Sequence, residues 1–440
     1  MCGLAVRRKM PFQSPKVAAY SACGKVGEAF LIERPRRSDS YDETRYGWME
    51  KTPKVRTGLM EVLSGARPEL RKAKLGLIVH PASVTPEVTA SMDALHASGL
   101  NLVALFGPQH GARGEKQDNM IESDDFRDSR LDVPVHSLYS DHRKPTQQML
   151  EGLDALVYDL QDVGVRVYTF VWTMTLAMEA CKEAGIKFVV LDRPNPLGGM
   201  VREGAILEPG FESFVGLHRI PLRHGLTAGE LARLANEEFG IGCDLDVVPC
   251  RNLERSDWFD DTGLPYVLPS PNLPTMDSCV VYPGMVLLEG TMLSEGRGTA
   301  RPFEIFGAPY IDPYEMVSKL EKFELPGVKF RPCYFEPTFN KHQEKLCGGA
   351  QLHVTDREAF RSVRAAAAVI ATIHDMAPDD FEWRPPPYEY EYEKMPIDIL
   401  WGNDGLRLGI EAGKDALEIV ADAEKALPHF EELAKPYLLY

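Results

Sequence analysis

Cysteine, positive charge, long apolar runs and glycine-rich cofactor cradles are scarce or missing in this 440-residue chain, and each absence removes a class of function. The eight cysteines (Cys2, Cys23, Cys181, Cys243, Cys250, Cys279, Cys333, Cys347) are scattered, with no CxxC pair and no histidine at zinc-ligand spacing. Neither a disulfide framework nor a metal site is expected. No stretch approaches the ~18 consecutive apolar residues of a membrane span. Lys+Arg total 49 against 65 Asp+Glu, and the net charge of −16 opposes binding to nucleic-acid backbone or to an anionic membrane. GPQHGARG (107–114) has its glycines at the wrong spacing for GxGxxG, and neither GxxxxGKS/T nor GxSxG occurs. No cofactor is expected, and a small polar ligand is what remains.

What is present is a globular composition, 44% hydrophobic and 26% charged, in a chain too long for one core, so two domains are expected. Residues 1–55 carry little periodicity and read as a poorly ordered extension. MPFQSPKVAAY (10–20) is too broken by polar residues and prolines to be an export signal, which places the chain as written in the cytoplasm, with export open if the start site lies elsewhere. From about residue 70, β-rich runs (75–79, 102–106, 133–138, 155–159, 188–191) alternate with helical spacing at 89–98, 145–152 and 168–184, the last stopped by Gly185. This pattern is α/β, a Rossmann-like parallel sheet over 56–208, followed by a smaller C-terminal α/β domain over 209–440 with a cleft between the two. In the second half, Thr227 and Glu230 form a capping box, 246–249 is a short strand, and a strand at 352–355, carrying His353 as a core group, feeds a helix at 357–374. The tyrosine-rich 385–394 reads as an ordered surface loop.

Polar clusters follow each of the five strands: His80 and Ser83, GPQHGARG, Asp141-His142-Arg143, DLQDVGVR (159–166) and DRPNP (192–196). Each alone resembles a solvated loop, but in an open α/β sheet all five strand ends face one crevice. A second concentration of charge is LLEGTMLSEGRGTARPFEIFGAP (287–309), where Glu289 follows an apolar run and Glu295, Arg297 and Arg301 lie among glycines. Carboxylates beside arginines suit glycoside hydrolysis, which needs one protonated and one ionised carboxyl group. Glu289, after its apolar run, fits the protonated role, with Asp159, Asp162 or Glu122 ionised. The arginines suit a substrate that carries a carboxylate. Tyr168 and Trp172 read as helix-packing residues.

These segments, together with PLRHGLTAGELA (221–232), PSPNLPT (269–275) and CGGAQLHVTD (347–356), closely resemble the exo-β-N-acetylmuramidases of the NamZ type, glycoside hydrolase family 171, formerly domain of unknown function 1343. The resemblance runs from about residue 70 to the terminal YLLY (437–440). It implies a Rossmann-like domain, a smaller α/β domain, and release of N-acetylmuramic acid from the non-reducing ends of peptidoglycan fragments, whose lactyl carboxylate would meet the arginines. The catalytic candidates are then Glu289, Glu122, Asp159, Asp162 and His110. The candidates for holding a carbohydrate are Gln109, Arg113, Asn119, Gln161, Arg166, Arg193, Asn195, His224, Asn272, Glu295 and Arg297. Members of the family commonly read PEHG where this chain has Pro108-Gln109-His110-Gly111, so an amide replaces a candidate acid. Either the acid lies elsewhere, at Glu122 or Glu289, or the chain is a weakened enzyme or a muropeptide-binding protein. The substrate's acetamido group, oriented by Asp159 or Asp162, is a further option for the nucleophile, and a phosphate-handling enzyme using the SEGRGT amides is a third class of reading.

Overall fold

In a computed structural model the described residues are 53–114, 116 and 120–440. Nearly all of the expected extension and the candidate Asn119 lie outside them. The five apolar runs form strands β1 (Lys74–Val79), β2 (Asn101–Gly107), β4 (Val133–Ser137), β5 (Ala155–Asp159) and β6 (Lys187–Leu191), with a short β3 (Phe126–Asp128) at one edge. A separate hairpin pairs β7 (Glu203–Ile206) with β8 (Pro221–Arg223), and β9 (Leu245–Val248) completes a seven-stranded sheet in the order β3-β4-β2-β1-β5-β6-β9. Only β3 runs antiparallel to its neighbour. β9 lies beyond residue 208, so the sheet takes its last strand from past the expected division point.

The strands read as continuous apolar runs because both faces are covered. Leu75, Leu77, Val79, Ala155 and Val157 pack to one face with Leu59 and Val62 of α1 (Gly58–Leu63) and Leu95 of α2 (Ser91–Ala97). Ile78, Leu156 and Tyr158 pack to the other, which holds the one-turn α3 (Gln147–Leu150), α4 (Phe170–Ala184) and α5 (Ala228–Glu238). Gly185 ends α4 in the left-handed conformation (φ 68), and Thr227 and Glu230 close the expected capping box on α5.

The second half is built from α6 (Met276–Met285), β10 (Ile305–Ala308), α7 (Pro313–Leu320), β11 (Val328–Phe335), β12 (Cys347–Val354) and α8 (Ser362–Met376), closed by α9 (Pro396–Trp401) and three further helices. Its sheet is antiparallel, in the order β10-β12-β11, and its core is continuous with one face of the large sheet. Two expectations fail here. His353 is exposed on β12 instead of sitting in the core. The 385–394 segment is not a surface loop throughout, since Tyr388 and Glu389 are 3% and 2% exposed.

Candidate active site

The chain winds outward from β1 in both directions, so the switch in strand order falls between β1 and β5, where such sheets place their ligands. The loops gather there as expected. Ser83, after β1, donates a hydrogen bond to the Asp159 carbonyl at the end of β5, and Arg193, after β6, reaches both Asp159 and the Val84 carbonyl. Gln109, after β2, meets Tyr139, after β4, and Thr169, at the start of α4. Arg143 stacks 3.6 Å over the Tyr390 ring, which belongs to the second half.

Beside this crevice lies a small pocket of about 20 Å3, lined by Gln109, His110, Val167, Tyr168, Val215, Ser270, Leu273, Tyr282, Glu289, Arg297, Phe303, Tyr388 and Glu389. Glu289 enters it from a 3-10 turn (Val286–Gly290) whose Val286, Leu287 and Leu288 are buried, as the apolar run suggested. A side chain at Gly290 would come within 2.6 Å of Ile397 on α9, so the turn is seated against the core. Glu289 Oε1 accepts from Arg297 at 2.8 Å and Oε2 from the Tyr388 hydroxyl at 2.6 Å. Behind Arg297 stands Glu295 at 3.1 Å, and behind Glu295 the buried Lys341 at 2.8 Å, which also donates to the Leu288 and Leu293 carbonyls. Burial pushes the Glu289 carboxyl up, but Arg297, Tyr388 and Lys341 together outweigh it and hold the group below its ordinary value. Glu289 is thus the ionised carboxylate, not the protonated one expected of it.

The carboxyl pushed the other way is Glu389. Tyr388 and Glu391 exchange two backbone hydrogen bonds of 2.9 Å, and the central residues Glu389 (φ 46) and Tyr390 (φ 65) are both left-handed, the geometry of a type I′ turn. Such turns favour Asn-Gly, and each side-chain-bearing residue forced into this region costs about 1–2 kcal/mol. The contacts that hold the strained residues are those of the site. Glu389 Oε2 accepts from the Tyr139 hydroxyl at 2.7 Å and Oε1 from Gln109 at 3.2 Å, while Tyr390 packs against Arg143 and Tyr139. Burial, helped by the Glu289 charge, raises Glu389 to about 7 against the downward pull of the donors Tyr139 and Gln109 and of the Arg297 charge. His110, itself left-handed (φ 71), is lowered to about 4 by burial and stays neutral. Its Nδ1 lies 2.9 Å from the Lys116 carbonyl and donates to it, leaving Nε2 as an acceptor.

Of the residues expected from sequence, Gln109, His110, Glu289 and Arg297 come together in the pocket, with Glu295 directly behind. The others take different positions. Asp159 forms a buried two-pronged pair with Arg193 at 2.6 and 2.9 Å. Asp162 accepts from the Gly164 amide at 2.7 Å and lies 3.6 Å from His224, while Gln161 and Asn195 hold backbone carbonyls of neighbouring loops. Arg166 is fully buried, lowered to about 9 by burial, and donates to the carbonyls of Ala205, Ile220, Leu400 and Trp401. It is a strut between the two halves. Arg113 is exposed over Phe126, Glu122 is exposed and accepts from the Tyr390 hydroxyl, and Asn272 is buried in the turn that supplies Ser270 and Leu273. The arginine cluster expected for a lactyl carboxylate is therefore not assembled: Arg166 and Arg193 are committed to carbonyls and Asp159, and Arg297 holds Glu289 and Glu295. Tyr168, read as helix packing, lines the pocket and donates to the Pro269 carbonyl at 2.6 Å. Glu389, Tyr388, Tyr139 and Lys341 were not anticipated. The one signal for Glu389 was an acidic residue between tyrosines after three prolines.

A doubly wound sheet joined to a smaller α/β domain, with a buried pair of carboxyl groups whose pKa values are driven in opposite directions, defines an α/β protein equipped for acid–base chemistry on a polar substrate. The chain belongs to the exo-β-N-acetylmuramidase NamZ family: the N-terminal model of that family matches residues 75–277 and the C-terminal model residues 280–440. It is 49% identical to the peptidoglycan β-N-acetylmuramidase NamZ of Bacillus subtilis (strain 168) over 89% of this chain and 92% of that protein. Crystal structures of two DUF1343 family proteins from Bacteroides fragilis share its fold. One has a TM-score of 0.80 at 33% identity, covering 89% of this chain and 100% of the other; the second has 0.69 at 31%, covering 88% and 99%.

Proposed function

We propose that this chain is an exo-acting glycoside hydrolase that releases N-acetylmuramic acid from the non-reducing ends of peptidoglycan fragments. Family membership supports the substrate, and the observation that carries the chemistry is the split between Glu389 and Glu289. Glycosidic cleavage needs a carboxylic acid to protonate the leaving oxygen and a carboxylate to meet the positive charge developing at the anomeric carbon. Glu389, protonated below about pH 7, is the acid, and Glu289, held ionised by Arg297 and Tyr388, is the carboxylate. Gln109 then binds and orients without supplying the proton, so an amide at that position does not remove acid catalysis. His110 Nε2 accepts a substrate hydroxyl, and Asp159 and Asp162 build the crevice behind. The alternative of a binding protein without turnover loses its motive once Glu389 is counted.

The test is release of chromophore from a chromogenic β-N-acetylmuramide by the full chain and by its Glu389→Gln and Glu289→Gln variants. Wild-type release that declines as pH rises through about 7, and collapses in both variants, is the expected result. No release above the enzyme-free background at any pH would sink the hydrolase reading for this substrate, and full release by the Glu389→Gln protein would sink the assignment of Glu389 as its acid.

A further inference from the structure

Glu389 is carried by the second half, yet the groups that hydrogen-bond its carboxyl come from the first. Gln109 Nε2 donates to Oε1 at 3.2 Å, the Tyr139 hydroxyl donates to Oε2 at 2.7 Å, and Gln109 Nε2 also lies 3.1 Å from that hydroxyl. The Met120 amide donates to Tyr139 as well, at 3.0 Å. On the far side of the Gln109 amide, the Thr169 hydroxyl donates to Oε1 at 2.6 Å.

Thr169 is the N-cap residue of α4, a place where a threonine oxygen ordinarily accepts from an amide of the first turn. Here it makes no such cap. Its backbone is already helical (φ −68, ψ −10), and its hydroxyl, donating to the Gln109 oxygen, matches the orientation in which the Gln109 N–H groups point away from it. With the carboxamide oxygen held by Thr169, the N–H side faces Glu389.

We propose that Thr169 is a positioning residue of this site: by holding the Gln109 oxygen it keeps the Gln109 N–H groups on Glu389 and fixes the acid's orientation across the junction of the two halves. The assignment rests on Glu389 being the acid, as proposed above. The groups facing that carboxyl are Glu289 and Arg297 from the 286–297 segment, Tyr388 from its own turn, Tyr139 from the loop after β4 and Tyr282 from α6. Thr169 is uncharged, so its influence passes through Gln109 alone. Donors aimed at a carboxylate favour its ionised form. A released Gln109 amide that turns its oxygen inward favours the protonated form instead.

The experiment is a carbon-13 carboxyl NMR titration of Glu389 in the full chain and in Thr169→Val, Thr169→Ser and Gln109→Leu, beside the pH dependence of chromophore release. Valine keeps the shape of threonine and removes the hydroxyl. It should raise the Glu389 titration by about one pH unit, the scale of a lost hydrogen bond to a charged group, and move the alkaline limb of activity with it. Serine should restore both, and Gln109→Leu should shift the titration at least as far as valine. A titration that stays put in Thr169→Val while moving in Gln109→Leu overturns the assignment, as does one that moves in neither. A titration that moves as expected in a chain that releases no sugar leaves Thr169 in its role and defeats only the hydrolase reading.

Discussion

Glu289 with Arg297 and Asp159 with Arg193 are the same kind of buried ion pair at nearly the same separation, 2.8 and 2.6 Å, and they stand in adjoining parts of the molecule. Their surroundings differ. Asp159 meets Arg193 through both oxygens, and the guanidinium's remaining reach goes to the Val84 carbonyl, so the pair closes on itself between two strand ends. Glu289 gives one oxygen to Arg297 and the other to Tyr388, lines a pocket, and raises a second carboxyl there. An ion pair alone is a structural feature whose net worth is small once desolvation is counted. The third group, Glu389, turns the second pair toward chemistry.

The sharpest way to break this contrast is Glu389→Gln, which removes the proton donor while keeping the shape of the side chain. Release of chromophore should fall by ~10²–10⁴-fold, and a loss below tenfold would mean the acid lies elsewhere. Next is Asp159→Asn, which leaves Arg193 buried beside a neutral amide. Denaturant unfolding should show a loss of about 3–5 kcal/mol while kcat/KM of the folded protein changes little. Lost activity at unchanged stability would instead move the strand-end pair into the site.

A third test follows from Glu389 itself, whose value is raised from 4.5 to about 7 on folding. A raised carboxyl stabilises the native state most fully below about pH 4.5, and that contribution disappears as pH climbs through about 7. The wild type should therefore lose up to about 3 kcal/mol between these limits that Glu389→Gln does not lose, read from urea melts at pH about 4.5 and 8. The smallest change is Tyr388→Phe. Losing that donor lets the Glu289 carboxyl rise, so the acid limb of the rate profile should move to higher pH, with a cost of about 1–2 kcal/mol in kcat/KM.

The strands, their order of appearance and the Gly185 and Thr227 helix ends were legible, because each rests on apolar periodicity or on a local cap that neighbouring residues specify. That Glu289, Arg297, Gln109 and His110 lie near a strand-end crevice was legible as well, since glycine-rich turns and strand ends mark themselves. The same rule over-reached at Asp159, Asp162, Arg166 and Arg193. Being at a strand end brings a residue to the crevice, but whether its side chain faces a ligand or the next loop depends on partners more than thirty residues away. Glu389 was missed for a related reason. Its type I′ turn is made by Glu-Tyr in place of Asn-Gly, so no turn signal appears, and distant Tyr139, Gln109 and Arg143 hold it there.

Sequence by itself determined the α/β class, the strand-end crevice and the family, because these rest on local patterning and on motifs read in order. Tertiary structure decided which carboxyl group is raised and which is lowered. That choice depends on burial and on the charges around each group, and these exist only once Glu389 is brought against Glu289 from 100 residues further along the chain.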